Sequence, residues 1–303
     1  MASTAVPADQ ADQIFRIGPE DLVAGSSSIV SGRVSLYAQE VQKYSQPGKS
    51  GLPLEWIARG QINRPTLLKG TAPPAPIRFS RAEHSRFQPT NSAISIWEES
   101  FGELSPDGQV VLFFGKEDSV LKVLPSGSDQ QNLVALVGDI VAIQAIPDPA
   151  RQRQSWAQYL GSAGTEEGRE AAMRSLVRAG ADWTEMEVAF RALFAQTGLS
   201  GDARTFAFSF VAFHVTQGTW GNDVNQAVEL LCQTFSTEKN PKQQLRYLQS
   251  FKLILVYAVQ VPQQKSRQPL KQSIAECLRA WASPGISDPA VAQEYKQIRS
   301  QFP

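Results

Sequence analysis

The chain has 303 residues, of which 42% are apolar and 9% are aromatic. This composition supports two globular domains with hydrophobic cores and excludes a chain that is disordered throughout. The 29 basic and 29 acidic residues give a formal net charge of zero, so no overall electrostatic field favours nucleic acid or an anionic membrane as a partner.

Targeting signals are missing from the sequence as it is written. No apolar run approaches the roughly 20 residues of a membrane-spanning helix. The first residues, MASTAVPADQADQ, have neither the basic region nor the apolar core of a signal peptide. These observations indicate a cytoplasmic protein. A periplasmic or secreted protein whose signal peptide had been removed would look the same, so the compartment stays open.

The first predicted elements follow a short polar segment, residues 1–18, which we expect to be flexible. Pro19 and the acids after it predict a short helix, because proline and negative charge both favour a helix N-terminus. Residues 29–36 alternate as a strand, in which Gly32 indicates a bulge. Residues 54–63 are the expected return strand, and residues 67–70 end this unit.

A polar stretch follows a third predicted strand at Ile77-Arg78-Phe79. We expect residues 80–94 to form a long loop, which is where binding residues are often found on a rigid frame. Its arginines alternate with aromatic residues and suit an anionic or acidic partner through charge and stacking. The residues of this predicted loop surface are Arg78, Arg81, Arg86 and Phe87. Ordinary solvated surface is the alternative interpretation.

The segment 107–148 organises the fold, because it closes a β-rich half and leads into a helical half. Val110 to Phe114 is an unbroken apolar run after a turn, which predicts a buried strand. Residues 119–123 alternate as a half-buried strand should. Apolar residues from Leu133 to Ile143 then recur at helical spacing and meet Pro147, a natural stop.

Residues 29–123 therefore contain five or six short strands without the helices that a parallel sheet would need. The order of three segments, Ser27 to Val34, Leu67 to Gly70 and Gly108 to Phe114, resembles that of netrin-like, OB-type barrels. The cysteines usual in that family are absent. The strand pattern predicts a small closed or partly open antiparallel β-barrel domain, which the resemblance also implies, and we place it at residues 19–149.

From Ala150 the sequence is rich in Ala, Leu, Gln and Arg at helical spacing, which predicts an all-helical domain over residues 150–303. Four helical hairpins are expected, with starts about 32 to 46 residues apart, similar to HEAT or armadillo repeats. The expected fold class is α+β, an OB-like barrel followed by a HEAT-like array. The predicted helices are 151–162, 165–179, 184–196, 202–217, 222–236, 241–260, 268–282 and 288–301.

The helix after Thr205 is apolar on nearly every side, which predicts a central buried helix. Its expected core residues, with two from the later helix at 241–260, are Phe206, Phe210, Phe213, Leu253 and Leu255. The two cysteines, Cys232 and Cys277, also lie in apolar-periodic segments and have no metal-ligand companion at short spacing. They are predicted to be free, buried thiols, with a disulfide as the alternative.

Common catalytic signatures are missing from the sequence. It contains no HExxH or CxxC spacing, no Walker loop, no GxGxxG after a strand and no GxSxG elbow. His214 is expected to be a hydrogen-bonded core residue. His84 lies beside an acid and a hydroxyl in the chain, but adjacency does not orient a triad. We therefore predict no catalytic residue, no metal and no cofactor.

The sequence favours a non-enzymatic interaction or scaffold protein that binds a protein or peptide mainly through its helical domain. Arg246, Tyr247 and Trp281 are its exposed-face candidates, because interfaces favour these residue types. No nucleic-acid partner and no membrane span are expected. One alternative is an enzyme or accessory factor with a ligand site between the two domains. An envelope or secreted module is another.

Overall fold

A computed structural model describes residues 18–41, 55–84, 104–116, 119–126, 133–260, 268–282 and 286–301. The protein is α+β. Its contacts divide the chain into two compact units. The β unit comprises Arg16–Ser155 with Glu167–Ala171, and the helical unit includes Trp156–Glu166 and Ala172–Pro303.

The β unit begins with helix α1 (Pro19–Gly25), as predicted. The Gly18 amide donates a hydrogen bond of 3.0 Å to the Asp21 carboxylate and so fixes the start of this helix. The strands that follow are β1 (Ser28–Arg33), β2 (Leu36–Val41), β3 (Glu55–Ile62), β4 (Thr66–Lys69), β5 (Ile77–His84), β6 (Gln109–Phe114) and β7 (Val120–Ser126). Helix α2 (Leu133–Gln144) comes after them, where the apolar spacing predicted a helix.

The described strands form two antiparallel sheets, in the orders β4-β1-β6-β7 and β2-β3-β5, and these sheets do not close into a barrel. The closed barrel and the single strand over residues 29–36 were therefore wrong expectations. The chain changes sheet at Val34 and Ser35. The Val34 amide donates to the Gly108 carbonyl at 2.9 Å, beside the first sheet, and the Ser35 amide donates to the Gln61 carbonyl at 2.8 Å, in the second.

Both sheets contribute side chains to one core. Gly32 on β1 allows their close approach, because a Cβ at this position would overlap the Ile62 side chain of β3. The bulge predicted at Gly32 is not found, because Gly32 pairs with Val110 of β6 in regular register; the glycine serves the close contact between the sheets instead. The core residues are Val30, Val34, Ala58, Ile62, Ile77, Phe79, Leu104, Val110, Leu112, Phe114 and Val123.

The helices of the second half begin and end within two residues of the predicted positions, which confirms these eight helices. They are α3 (Pro149–Ser162), α4 (Glu166–Arg178), α5 (Trp183–Phe194), α6 (Gly201–Gln217), α7 (Val224–Thr237), α8 (Pro241–Gln260), α9 (Gln268–Ala282) and α10 (Pro289–Gln301). Local cap chemistry explains the agreement. The Asp182 carboxylate, for example, accepts the Glu185 amide at 2.9 Å before α5.

Helix α6 lies in the core of the helical unit, as its apolar sequence predicted. Phe210 and Leu255 are 1% exposed and Phe213 is buried, whereas Phe206 and Leu253 are only half-buried. The most extensive helix contacts in this unit join α6 to α8 and α7 to α9, and α8 also packs on α10. The helices therefore pack mainly on their second neighbours along the chain.

Candidate functional site

A surface cleft of about 620 Å³ lies in the helical unit, where α5 and α7 end and α6 and α8 begin. We call it the polar cleft. Leu199 and Leu230 are buried and give it apolar floor surface. The other lining residues are Arg191, Phe194, Gly201, Arg204, Gln233, Thr234, Thr237, Glu238, Lys239, Asn240 and Gln243.

The N-termini of α6 and α8 border this cleft, and a polar side chain caps each of them. The Ser200 hydroxyl accepts the Ala203 amide at 3.1 Å before α6, and the Asn240 side chain accepts the Lys242 amide at 3.0 Å before α8. The Glu238 carboxylate also accepts the amides of Lys239 and Asn240, at 2.9 and 2.8 Å. The start of α8 therefore already carries a compensating negative charge.

The cleft is nevertheless basic, since three of its lining residues are cationic and one is acidic. Arg204 donates to the carbonyl of Phe194, the last residue of α5, at 3.1 Å, and to the carbonyl of Gln196 just after this helix. Both of these hydrogen bonds go to backbone carbonyl oxygens and neither goes to a carboxylate. Arg191 differs, because it is paired with Glu187. The surplus charge favours an anionic ligand group at this cleft.

Amide and hydroxyl groups supply neutral hydrogen-bonding capacity in the cleft. Gln243 is 8% exposed, and its side-chain carbonyl accepts the Thr205 hydroxyl of α6. The absent side chain of Gly201 makes room for this arrangement, because a Cβ there would overlap the Gln243 amide. The Thr234 hydroxyl donates to the Leu230 carbonyl at 2.8 Å and keeps lone pairs for an incoming donor.

Tyr247 brings an unsatisfied hydroxyl near the cleft. Its side chain is 0% exposed, and its hydroxyl has no hydrogen-bond partner in the part of the chain that the structure describes. Burial raises the pKa of Tyr247; the Glu238 charge adds to this increase, and the Arg204 charge opposes it. Both charged residues line the cleft. Charges in the cleft therefore influence Tyr247, whose side chain does not itself line the cleft.

The sequence-predicted surface residues of the helical unit have three different environments. Arg246 is exposed, and it pairs with Asp202 of α6. Trp281 is half-buried and packs on Phe235, with ring centroids 4.5 Å apart. The exposed position expected for Tyr247 is wrong, because this side chain is buried in the packing between α6 and α8.

The predicted loop surface of the β unit is only partly described. Strand β5 begins at Ile77, so Arg78 lies on a strand as predicted; the strand continues to His84, so Arg81 also lies on it and not in the expected loop. Arg78 is exposed and Arg81 is half-buried. Arg86 and Phe87 lie outside the described residues, as does the stretch at 96–101. Arg78 and Arg81 belong to the β unit, whereas Arg246, Tyr247 and Trp281 belong to the helical unit.

The two cysteines form a disulfide, so the prediction of free thiols is wrong. Cys232 on α7 and Cys277 on α9 are 45 residues apart in the chain, but their Cα atoms are only 5.8 Å apart because α7 packs on α9. Cys232 and Cys277 are half-buried. Together with Trp281 they line a second cleft of about 550 Å³.

His214 makes the hydrogen bond that was expected of it. Its Nδ1 lies 3.0 Å from the Thr219 hydroxyl oxygen, and its ring lies 4.5 Å from that of Phe210. Burial lowers the pKa of His214 to about 4, because the charged imidazolium would lose water contacts. The side chain is therefore neutral near pH 7 and serves the packing of α6.

Within the described ranges, no group of three or more His, Cys, Asp or Glu side chains is placed to hold a metal ion. No helix there is long and apolar enough to cross a membrane.

Sequence reasoning missed the polar cleft as a site. The available signals were the helix stops at Gly198 to Asp202 and at Asn240-Pro241, which are cap chemistry. They did not indicate that the two caps would meet in space. The comparisons with protein-family models, with curated proteins and with solved structures found no match for this chain.

Proposed function

We propose that the chain is a non-enzymatic interaction protein whose helical unit binds an acidic peptide segment of a protein partner in the polar cleft. The observation that carries this proposal is the surplus positive charge of a cleft that also offers amide and hydroxyl groups around apolar surface. The hydrogen bonds that Arg204 donates go to backbone carbonyls, so they do not neutralise its charge.

The chemistry of the lining supports a peptide as the ligand. A peptide brings backbone donors and acceptors at regular spacing, and Gln233, Thr234 and Gln243 offer matching groups around the apolar surface of Leu199 and Leu230. Acidic side chains on such a peptide would complement the surplus positive charge of the cleft.

The packing of the helical unit supports the proposal of a HEAT-like array as the binding scaffold. Contacts of α6 with α8, of α7 with α9 and of α8 with α10 are typical of layered helical arrays. Such arrays bind partners through surfaces built from successive helix ends and need no reactive residue.

A peptide-display selection against the full chain tests this function. A random library is selected on the wild-type chain and, in parallel, on Thr237→Trp, which fills the cleft with an indole. Thr237 is an exposed lining residue, so the substitution leaves the core intact. We expect wild-type selection to enrich peptides rich in Asp and Glu, and we expect these peptides to be lost on Thr237→Trp.

Gln226→Trp is the matched control, because Gln226 is exposed on the same helix and does not line the cleft. It should retain the selected peptides. Equal binding of these peptides to wild type and to Thr237→Trp would reject the cleft as the site. Selection that enriches no acidic sequence would reject the proposed ligand class.

A further inference from the structure

A separate cavity of about 320 Å³ lies in the helical unit between α8, α9 and α10. We call it the apolar pocket. Its walls include Leu255 and Ile298, each 1% exposed, and Leu278, which is 5% exposed. Tyr295 also lines it and is buried. These walls present hydrocarbon surface that a small apolar group would cover with a gain in free energy.

Two arginines lie at this same pocket. Arg279 of α9 and Arg299 of α10 line it and are exposed. No ion pair or hydrogen bond joins either guanidinium to the part of the chain that the structure describes. Each lies in the last turn of its helix, where a positive charge is favourable. That preference accounts for one arginine per helix. It does not account for two of them sharing an apolar pocket.

We propose that the apolar pocket binds a small amphiphilic anion, an alkyl carboxylate of medium chain length. The alkyl chain lies against Leu255, Leu278 and Ile298, and the carboxylate accepts hydrogen bonds from Arg279 and Arg299. Guanidinium groups suit this role because their planar donors match a carboxylate. The volume is near the lower end of the roughly 300 to 1,000 Å³ typical of ligand pockets, which favours a medium chain over a long one.

A peptide fits this pocket less well than an alkyl carboxylate does. A peptide segment needs partners for its backbone amides and carbonyls. The described lining offers only the two guanidinium groups and the Tyr295 hydroxyl besides apolar surface. The polar cleft has the opposite composition. The two proposed sites therefore take different ligands and can be tested independently.

Isothermal titration calorimetry of the full chain with sodium decanoate, kept below its micelle concentration, tests the proposal. We expect saturable binding of one decanoate per chain. Decanol should bind more weakly, and decyltrimethylammonium should show no binding, because the arginines repel its charge. Arg279→Gln and Arg299→Gln should each weaken decanoate binding by about tenfold, the effect of losing a charge-assisted hydrogen bond.

Arg246→Gln is the matched control, since Arg246 is also exposed in the helical unit but does not line the pocket. It should leave decanoate binding unchanged. Ala275→Leu fills the pocket without altering charge and should abolish binding, with circular dichroism verifying the fold. Ala275 is a lining residue on α9, and leucine is a strong helix former.

Three results would overturn the proposal. The first is no saturable decanoate binding to the wild-type chain. The second is equal binding of decanol and decanoate, or decanoate binding that both arginine variants retain, since either shows adsorption to apolar surface alone. The third is saturable binding of a short peptide with a C-terminal leucine but not of decanoate.

Discussion

The ring of Phe208 on α6 stacks on the ring of Tyr247 on α8, with centroids 4.1 Å apart and 12° between the planes. Both side chains are completely buried. The N-termini of these two helices border the polar cleft, so the stacked pair fixes the helices that carry Gly201 and Gln243. The same packing isolates the Tyr247 hydroxyl from any described hydrogen-bond partner.

Removing that hydroxyl should stabilise the protein and leave its proposed activity unchanged. Tyr247→Phe keeps the stacked ring and deletes an unsatisfied buried oxygen, so we expect the free energy of unfolding to rise by about 1 kcal/mol. Urea unfolding measures this change. Peptides selected on the wild-type chain should bind Tyr247→Phe as tightly as they bind wild type, because this side chain does not line the cleft. A loss of stability of 1 kcal/mol or more would show that the hydroxyl has a structural partner.

The centre of the helical core should be sensitive to truncation at Phe210. This residue is 1% exposed and packs on Phe190 and His214. Phe210→Ala should reduce the free energy of unfolding by about 3 to 5 kcal/mol, the cost of a cavity left by a buried phenylalanine. Phe206→Ala is the control and should cost less, because Phe206 is half-buried on the same helix. Equal effects would contradict the assigned burial.

Helix positions in this chain were predictable because their signals are local. Residues such as Asp182 and Asn240 cap helices through neighbours a few positions away. The pairing of the strands into sheets was not predictable, because the sequence pattern around Gly32 gives no indication of which strands are neighbours. Strand β1 in fact pairs with β4 and β6, and β2 pairs with β3. Pairing of this kind depends on contacts between residues that are distant in sequence.

The candidate site was less predictable than the fold, because it too depends on contacts between residues that are distant in sequence. The polar cleft requires four helix ends to meet, and the Cys232–Cys277 disulfide requires α7 to pack on α9. Residue type alone also led to the wrong prediction that Tyr247 is exposed. Tyrosine is common at interfaces, but this ring has an aromatic partner, Phe208, on the facing helix.

The buried His214 should make stability depend on pH. Burial lowers its pKa to about 4 from an ordinary value of 6.5, so between these values the unfolded chain binds a proton that the native chain does not. Stability is therefore lost as pH falls through this window. Between pH 7 and pH 5 the contribution is about 2 kcal/mol.

Urea unfolding of wild type and His214→Gln at pH 7 and pH 5 measures this dependence. The variant should lose less stability than wild type on acidification. His84→Gln replaces the other of the two histidines and should behave like wild type. An unchanged pH dependence in His214→Gln would show that this imidazole titrates normally in the native state.

The disulfide should stabilise the helical unit. Cys232 and Cys277 close a loop with a sequence separation of 45 residues. Loop-closure entropy of this size corresponds to about 4 kcal/mol of stabilisation. A reducing agent should therefore lower the melting temperature of the wild-type chain and leave that of a double serine variant unchanged. Rapid labelling of both cysteines in the native, unreduced chain would contradict the bond.

The central claim is that partner binding resides in the polar cleft of the helical unit. Calorimetric titration of one acidic peptide, selected on the wild-type chain, into wild type, Thr237→Trp and Arg78→Gln tests it most directly. Arg78 is an exposed residue of the β unit. Our account predicts that Thr237→Trp abolishes binding and that Arg78→Gln retains wild-type affinity. Wild-type affinity in Thr237→Trp together with lost binding in Arg78→Gln would contradict the account and move the site to the β unit.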